Sequence, residues 1–347
     1  NEVQRMGPEE LVSKGLCDPV KVFVKNEPHK VTKIIDGKLR LISSVSLVDQ
    51  LVAKVLFNLQ NKAEIAEWSS IPSQPGLGLH DEGMILIAEA AKRMLAKGRV
   101  AQADIKGWDW SVAMWELLLD AEVRADLAGV GENHLFRHFC RVHAHNVGNK
   151  VFVLPDKRMF AQVIPGIQAS GDQNTGSSNS RMRVAASLMA RLWAGVEIIR
   201  AGDPEIKAMG DDSFERNFEG LKEGLEEMGH GIKQLDIIDS LEQLDFCSHK
   251  WRSDGLAYPG NASRTVYRYL SRAKDFPNYA ELRAQLLWFV RYLEGNEKEV
   301  IRQLADSRVG QAIKVVEIEN GQTGTETQSW ETESTRKRRF RNKKLRD

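Results

Sequence analysis

Asp211 and Asp212 stand side by side behind Gly210, between the short strand-like runs Ile206 to Met209 and Ser213 to Glu215. Such a segment has to fold back on itself as strand, turn and strand, because glycine supplies the positive φ of a tight turn at no steric cost. A lone Gly-Asp-Asp tripeptide is more often a solvated turn than a site. The chain offers another acid in a comparable setting. Val100 to Ile105 reads as a short buried strand carrying Asp104 near its end, followed by Gly107 and a helical run from Trp110 to Leu127. If the two strands lie side by side, Asp104, Asp211 and Asp212 converge as hard oxygen ligands suited to Mg²⁺. Phosphoryl transfer to a hydroxyl asks for this: little covalent help from protein, but metal ions that stabilise the attacking and leaving oxygens.

The rest of the chain reads as a mixture of helices and short strands. Lys21 to Val24 and Lys38 to Val45 are β-rich, with Asp36-Gly37 as a turn, and together predict a basic, hairpin-like segment. Val48 to Ala66 and Asp81 to Lys97 are apolar at helical spacing, separated by Pro72, Pro75, Gly76 and Gly78. Two alternating runs over 150–165, around Pro155-Asp156, predict a second hairpin. Ser170 to Ser180 reads as a loop rich in Gly, Ser, Asn and Thr, and Met182 to Ile199 as a helix ended by Gly202-Asp203-Pro204. Phe218 to Met228 is predicted helical and Phe246 to Trp251 a short strand. Ala280 to Leu304 is helical, with apolar residues at Leu282, Leu286, Leu287, Val290, Leu293 and Val300.

At 347 residues the chain exceeds one ordinary hydrophobic core, so several packed units are expected. No run approaches eighteen apolar residues and Asn1 to Glu10 lacks the blocks of a secretory signal, so an intracellular, soluble chain without a transmembrane segment is expected. Cys17, Cys140 and Cys247 are odd in number and widely spaced, which predicts free thiols. The net charge of +1 hides a division: 336–347 carries about +7 and the remainder −6. The polar stretch Glu319 to Ser334 and this basic tail are expected to be disordered in isolation. A start at Asn1 rather than Met points to a longer precursor.

Order and spacing give the acids their meaning. Asp104-x4-Asp109, then Ser170-Gly171-x3-Thr175-x3-Asn179, then Gly210-Asp211-Asp212 resemble motifs A, B and C of positive-strand viral RNA-dependent RNA polymerases. Lys25-Asn26-Glu27 and Lys38-Leu39-Arg40-Leu41-Ile42 resemble motif F, and Phe246 to Trp251 resembles motif E. The likeness covers roughly residues 20–252 and is nearest the sobemovirus and polerovirus polymerases. It implies an α+β, right-hand polymerase fold with fingers, a palm whose antiparallel sheet is backed by helices, and a small helical thumb. The implied boundaries are 1–74 (fingers portion with motif F), 75–149 (palm with motif A), 150–168 (fingers insertion), 169–252 (palm with motifs B to E), 253–318 (thumb) and 319–347 (polar linker and basic tail).

Residue by residue, the resemblance implies Asp104 and Asp211 as principal ligands of two Mg²⁺ or Mn²⁺ ions, with Asp212 and the backbone carbonyl of Ile105 in support. Asp109, Ser170, Thr175 and Asn179 match positions that sense the ribose hydroxyls and position the template. Read locally, Asp109 is instead a helix cap ahead of Trp110. Lys25, Lys38 and Arg40 match residues that grip the triphosphate, where Arg engages two oxygens and Lys acts as a point charge; for Lys38 a solvated hairpin is the bland alternative. Glu27 is placed to orient one of these cations. Lys233 falls where motif D often carries a lysine that protonates pyrophosphate, with Lys222 and Lys250 as alternatives. The implied partners are RNA template and product strand, ribonucleoside triphosphates, a genome-linked protein primer and other viral replication proteins. The implied location is host cytoplasm, in membrane-associated replication complexes.

Other readings compete. His134, His138, Cys140, His143 and His145 are zinc-type ligands, but their spacing fits no familiar finger. Trp108, Trp110 and Trp115 are read as core packing rather than base stacking. A two-metal nuclease needs the acids but not the Ser170 to Asn179 motif, a reverse transcriptase would lack the Asp109 and Asn179 pair, and a non-enzymatic RNA-binding protein would need only the tail.

Overall fold

The acid-bearing strands do meet in one sheet. The structure is a computed structural model and describes residues 2–27, 31–197, 205–272 and 279–306. It divides into a unit of residues 1–261 and a unit of residues 262–347. In chain order the first unit carries α1 (Pro8–Ser13), β1 (Val20–Val24), α2 (Val31–Ile35), β2 (Leu41–Ser44), α3 (Leu47–Ala66), α4 (Asp81–Leu95), β3 (Val100–Ile105), α5 (Trp108–Ser111), α6 (Met114–Leu127) and α7 (Leu135–Gly148). It continues with β4 (Val151–Val153), β5 (Met159–Ala161), α8 (Thr175–Trp193), β6 (Ile206–Met209), β7 (Asp212–Arg216), α9 (Leu221–Glu227), β8 (Ile232–Ile238), β9 (Asp245–Phe246), β10 (His249–Trp251) and β11 (Ala257–Pro259).

The central sheet has the order β6-β7-β3-β8 and is antiparallel throughout, with Ala103 opposite Ser213 and Met209 opposite Asp212. Side chains alternate across a strand. Ala101, Ala103 and Ile105 of β3 face a core with α6, α8 and α9, while Val100 faces a second core with α4, Phe214, Phe246 and Trp251. Both faces are therefore covered at the Val100 end of β3, while Asp104, near the other end, is exposed on the face opposite Ala103 and Ile105. A second sheet, β2-β1-β4-β5, joins segments far apart in sequence: β1 pairs antiparallel with β2 and parallel with β4. A small third sheet, β11-β10-β9, buries Trp251, whose Nε1–H donates to the Met84 carbonyl at 3.0 Å.

Local chemistry sets the helix starts. Ser46 Oγ accepts the Asp49 N–H at 3.1 Å to cap α3 and His80 Nδ1 accepts the Gly83 N–H at 3.2 Å to cap α4. Each cap contributes about 1 kcal/mol. Buried ion pairs then tie α8 to the acid hairpin. Arg183 and Arg191 reach Glu215 at 3.2 and 3.3 Å, and Arg191 reaches Glu205 at 3.0 Å. Removing one partner of such a pair leaves a charge stranded, at a cost of roughly 3–5 kcal/mol.

Several predicted elements differ. The basic hairpin pairs as expected, but α2 lies between its strands because Val31 to Ile35 closes a helical turn before Gly37. The run from Trp110 is two helices, α5 and α6, broken at Val112, which is extended (φ −60°, ψ 121°). The predicted loop Ser170 to Ser180 is helical from Thr175, its Ser and Asn side chains finding partners on α3, α5 and α6 instead of solvent. Phe246 to Trp251 is two strands, β9 and β10, around Cys247 and Ser248 at φ 52° and 59°. Four elements of this unit, α1, α7, β8 and β11, had no sequence expectation. The predicted helix stop at Gly202-Asp203-Pro204, the polar stretch and the basic tail lie outside the described residues.

In the second unit α10 (Ala262–Arg272) and α11 (Tyr279–Phe289) are followed by a helical stretch over 296–306. Leu282, Leu286, Val290 and Leu293 are buried as their spacing predicts, whereas Val300 is exposed and Ile301 takes the buried position. Among the described residues no helix is long and apolar enough to cross a membrane, and all three cysteines are free thiols.

Candidate active site

Gly210 adopts φ +67°, a left-handed conformation that a residue with a Cβ resists, and so lets β6 turn back into β7 with Asp211 at the tip. Asp104 lies across the sheet near the end of β3, where the β3–β8 register shifts between Asp104 and Ile105. Their charges interact. Asp211 is raised above the usual carboxylate range by desolvation, with Asp104 adding to the effect. Asp212 is pushed up to about 6 by desolvation and then by Asp211, Asp245 and Asp104, while the Cys247 backbone N–H donates to it and pulls the other way. The left-handed turn between β9 and β10 thus aims an amide at the second acid of the pair.

Asp104 already has a cation: Lys233 on β8 forms an ion pair with it. Lys222 pairs with Glu226 at 3.9 Å on α9, and Lys250 acts on Asp245, so of the three lysines weighed for motif D only Lys233 is shown bonded to one of the three acids. Among the described residues no three His, Cys, Asp or Glu side chains stand close enough to hold a metal ion. Of the three acids, Asp104 is engaged by Lys233. Their chemistry still fits a hard divalent cation: the donors are all oxygen, and their mutual repulsion is what a cation would relieve. The His and Cys group does not fit zinc. His134 caps α7 by accepting the Phe136 N–H at 3.1 Å, His143 packs edge-on against Phe57, and Cys140 is buried in the core.

Beside the acids, Asn179 Nδ2 donates to Asp109 Oδ1 at 2.9 Å. An ionised carboxylate only accepts, so the amide nitrogen faces Asp109 and Asn179 Oδ1 points elsewhere; that oxygen is buried and has no partner. Asp109 itself is raised first by desolvation, and the bond from Asn179 opposes the rise. The helix-cap reading of Asp109 fails, because Gly107 occupies the N-cap of α5. Ser170 Oγ accepts the Ser43 N–H at 3.1 Å and Gly171 N–H donates to the Ser43 carbonyl at 2.9 Å, which ties the loop before α8 to β2. A Cβ at Gly171 would meet that carbonyl at 2.5 Å, so only glycine permits the approach. Thr175 Oγ1 donates to the Ala169 and Asp172 carbonyls at 2.8 and 2.9 Å, closing the same loop.

The basic residues separate into two groups. Lys25 and Arg40 both reach Glu27, at 3.1 and 3.4 Å, and these bonds outweigh desolvation to hold Glu27 below its ordinary range. Arg40 also acts electrostatically on Asp109 and Asp211. Lys38 is 75% exposed and paired with Asp36 at 3.1 Å, the solvated arrangement of the bland reading. Trp108 is core, stacked on His230 at 4.4 Å, but Trp110 is 50% exposed and Trp115 37%, so core packing holds only for the first. The Cys247 amide escapes any sequence reading, because a backbone donor carries no residue signature.

An antiparallel sheet carries the three acids, with the hydrogen-bonded Asp109 and Asn179 beside them, an oxygen-rich arrangement suited to phosphoryl transfer. The chain matches the family model "Viral RNA-directed RNA-polymerase" over residues 1–84 and 83–276, and it belongs to that family. It is 47% identical over 317 residues to the "RNA-directed RNA polymerase" of Mushroom bacilliform virus, covering 91% of this chain and 75% of that protein. It is 42% identical over 281 residues to the "Replicase polyprotein P2AB" of Southern bean mosaic virus, covering 78% of this chain and 27% of the polyprotein. With "Protein P1-P2" of Turnip yellows virus it shares 41% over 278 residues, 76% of this chain and 25% of that protein. The chain thus spans three quarters of the first of these relatives and about a quarter of the other two. These matches agree with the likeness to sobemovirus and polerovirus polymerases.

Proposed function

We propose that this chain is the catalytic core of a positive-strand RNA virus replicase and joins ribonucleotides on an RNA template by a two-metal mechanism. The observation that carries the reading is the placement of Asp104 on β3 and of Asp211 and Asp212 at the β6–β7 turn of one sheet, close enough to perturb each other. Asp104, Asp211 and Asp212, with the Ile105 carbonyl, would hold two Mg²⁺ or Mn²⁺ ions. The bound ions would supply charge stabilisation for the attacking 3′-oxygen and the departing pyrophosphate. Arg40 and Lys25, held by Glu27, contact the triphosphate, with Lys38 at the rim. Asp109 and Asn179 read the ribose, with Asn179 Oδ1 free to accept from a 2′-hydroxyl. Ser170 and Thr175 fix the loop that supports the template base, and Lys233 gives a proton to pyrophosphate.

The same reading assigns a right-hand architecture. The β2-β1-β4-β5 sheet supports fingers drawn from 1–74 and 150–168, the β6-β7-β3-β8 sheet supports a palm over 75–149 and 169–252, and the helices after residue 261 support a thumb within 253–318. Template and product RNA and ribonucleoside triphosphates are the proposed partners, with a genome-linked protein primer and other replication proteins at membrane-associated complexes in host cytoplasm. The test is incubation with an RNA template, four ribonucleotides and Mg²⁺. Template-length product supports the reading; shortened template would identify a nuclease, and binding without either would identify a non-enzymatic RNA-binding protein.

A further inference from the structure

Asn179 and Ser180 are neighbours on α8, and they touch the two halves of the site. Asn179 bonds to Asp109, beside the proposed sugar position, while Ser180 Oγ accepts the N–H of Gly210 at 2.9 Å, at the root of the acid turn. Ser180 is completely buried. Its hydroxyl proton is committed to the Gly176 carbonyl one turn back, at 2.6 Å, so the rotor is fixed and an oxygen lone pair is left aimed at Gly210. Gly210 is the left-handed residue on which the direction of Asp211 depends.

We propose that Ser180 is a positioning residue that couples sugar recognition to placement of the metal-binding acids. This rests on the function proposed above and goes beyond it, since Ser180 touches neither nucleotide nor metal in that reading. The physical basis is a rigid connection. α8 runs from Thr175 to Trp193, so a small shift of the helix that lets Asn179 meet a 2′-hydroxyl also moves Ser180. The hydrogen bond passes that shift to the Gly210 peptide, and the Asp211 carboxylate follows. Coupling of this kind is carried by a packed element that contacts both sites, and its magnitude has to be measured rather than inferred from proximity.

The experiment measures kcat and KM for ATP and dATP opposite the same template uridine, with wild type, Ser180→Ala, Ser180→Thr and Asn179→Ala in parallel. Misplacing a reacting group by a fraction of an ångström to one ångström lowers rates by roughly ten- to a hundredfold, so Ser180→Ala is expected to lose kcat for ATP by about that factor while KM stays within about threefold. The ratio of ATP to dATP efficiency should shrink, although Ser180 does not contact the sugar. Ser180→Thr keeps the hydroxyl and should restore the ratio. Equal loss for both nucleotides in Ser180→Ala, or no loss, would overturn the proposal, since a purely structural tie has no reason to distinguish the sugars. If Ser180→Ala does not fold, as judged by thermal unfolding, Ser180→Cys offers the same shape with a weak acceptor and is read by the same ratio. Absence of template-length product from wild type, or an unchanged ratio in Asn179→Ala, would instead strike the underlying polymerase or sugar reading and take the coupling with it.

Discussion

Lys233 on β8 and Asp104 on β3 form an ion pair across adjacent strands, so the lysine proposed as proton donor sits on a carboxylate proposed as metal ligand. In the proposed reading the two roles compete without metal; a bound cation would engage Asp104 and leave Lys233 available to pyrophosphate. The pair is well exposed, and exposed pairs contribute little, so Lys233→Ala should tighten Mn²⁺ binding only about two- to fivefold. Turnover should move the opposite way, falling by about a hundredfold or more if the lysine is the general acid. Metal titration followed by single-turnover incorporation checks both. Unchanged turnover would remove Lys233 from the chemistry.

Asp211→Asn should lower incorporation to roughly 1% of wild type or less, because a neutral amide weakens a hard-cation site that depends on carboxylate charge. RNA binding should stay within about twofold, as phosphate contacts supply that affinity. Asp212→Asn should be milder, since the Cys247 amide also acts on that carboxylate. Near-normal extension by Asp211→Asn, measured on a primed template, would sink the assignment of the site.

In the proposed reading sugar choice depends on the Asp109 and Asn179 contact. A deoxynucleotide leaves Asn179 Oδ1 unpaired in a closed site, where a missing polar contact is worth on the order of 1–3 kcal/mol, or roughly ten- to a hundredfold. Asn179→Ala should therefore reduce ATP incorporation more than dATP incorporation. Equal reductions would mean that Asn179 supports the fold and does not read the sugar.

Lys150 provides a stability test remote from the acids. It is 4% exposed, donates to the Ile167 carbonyl at 2.6 Å, and is lowered to about 7, first by desolvation, with Asp172 and Cys17 opposing. An unfolded lysine titrates near 10.4, so between about 7 and 10.4 the unfolded chain binds more protons than the folded one. Stability therefore rises with pH across that window; the cost of burying Lys150 grows as pH falls from about 10.4 to about 7 and is constant below that. Lys150→Met should flatten the slope of unfolding free energy between pH 7 and 9.5, read from denaturant midpoints. A slope equal to that of wild type would show that Lys150 is charged in the fold.

What the sequence determined by itself is local in origin. The β3 strand, the β6–β7 turn, α3 and α4 follow from periodicity and turn chemistry, because each is written in contiguous residues, and the order of the three motifs from the resemblance to viral polymerases. The carboxylates were legible for the same reason, whereas Asp109 and Asn179, 70 residues apart, were paired only by the resemblance to the polymerase motifs. Tertiary structure decided the rest. β8 alternates weakly, and its strand state comes from pairing along β3, which no local pattern announces. The start of α8 reads as a loop because Ser and Asn favour turns in water; it becomes helix when those side chains meet Glu64, Asp120 and Asp109 from other elements. Lys38 and Arg40 both match motif F in the sequence, and folding sends one to Asp36 and brings the other within electrostatic reach of the acids. The bond from Gly210 to Ser180 spans thirty residues of chain and involves a backbone amide, so it exists only once α8 lies against the sheet.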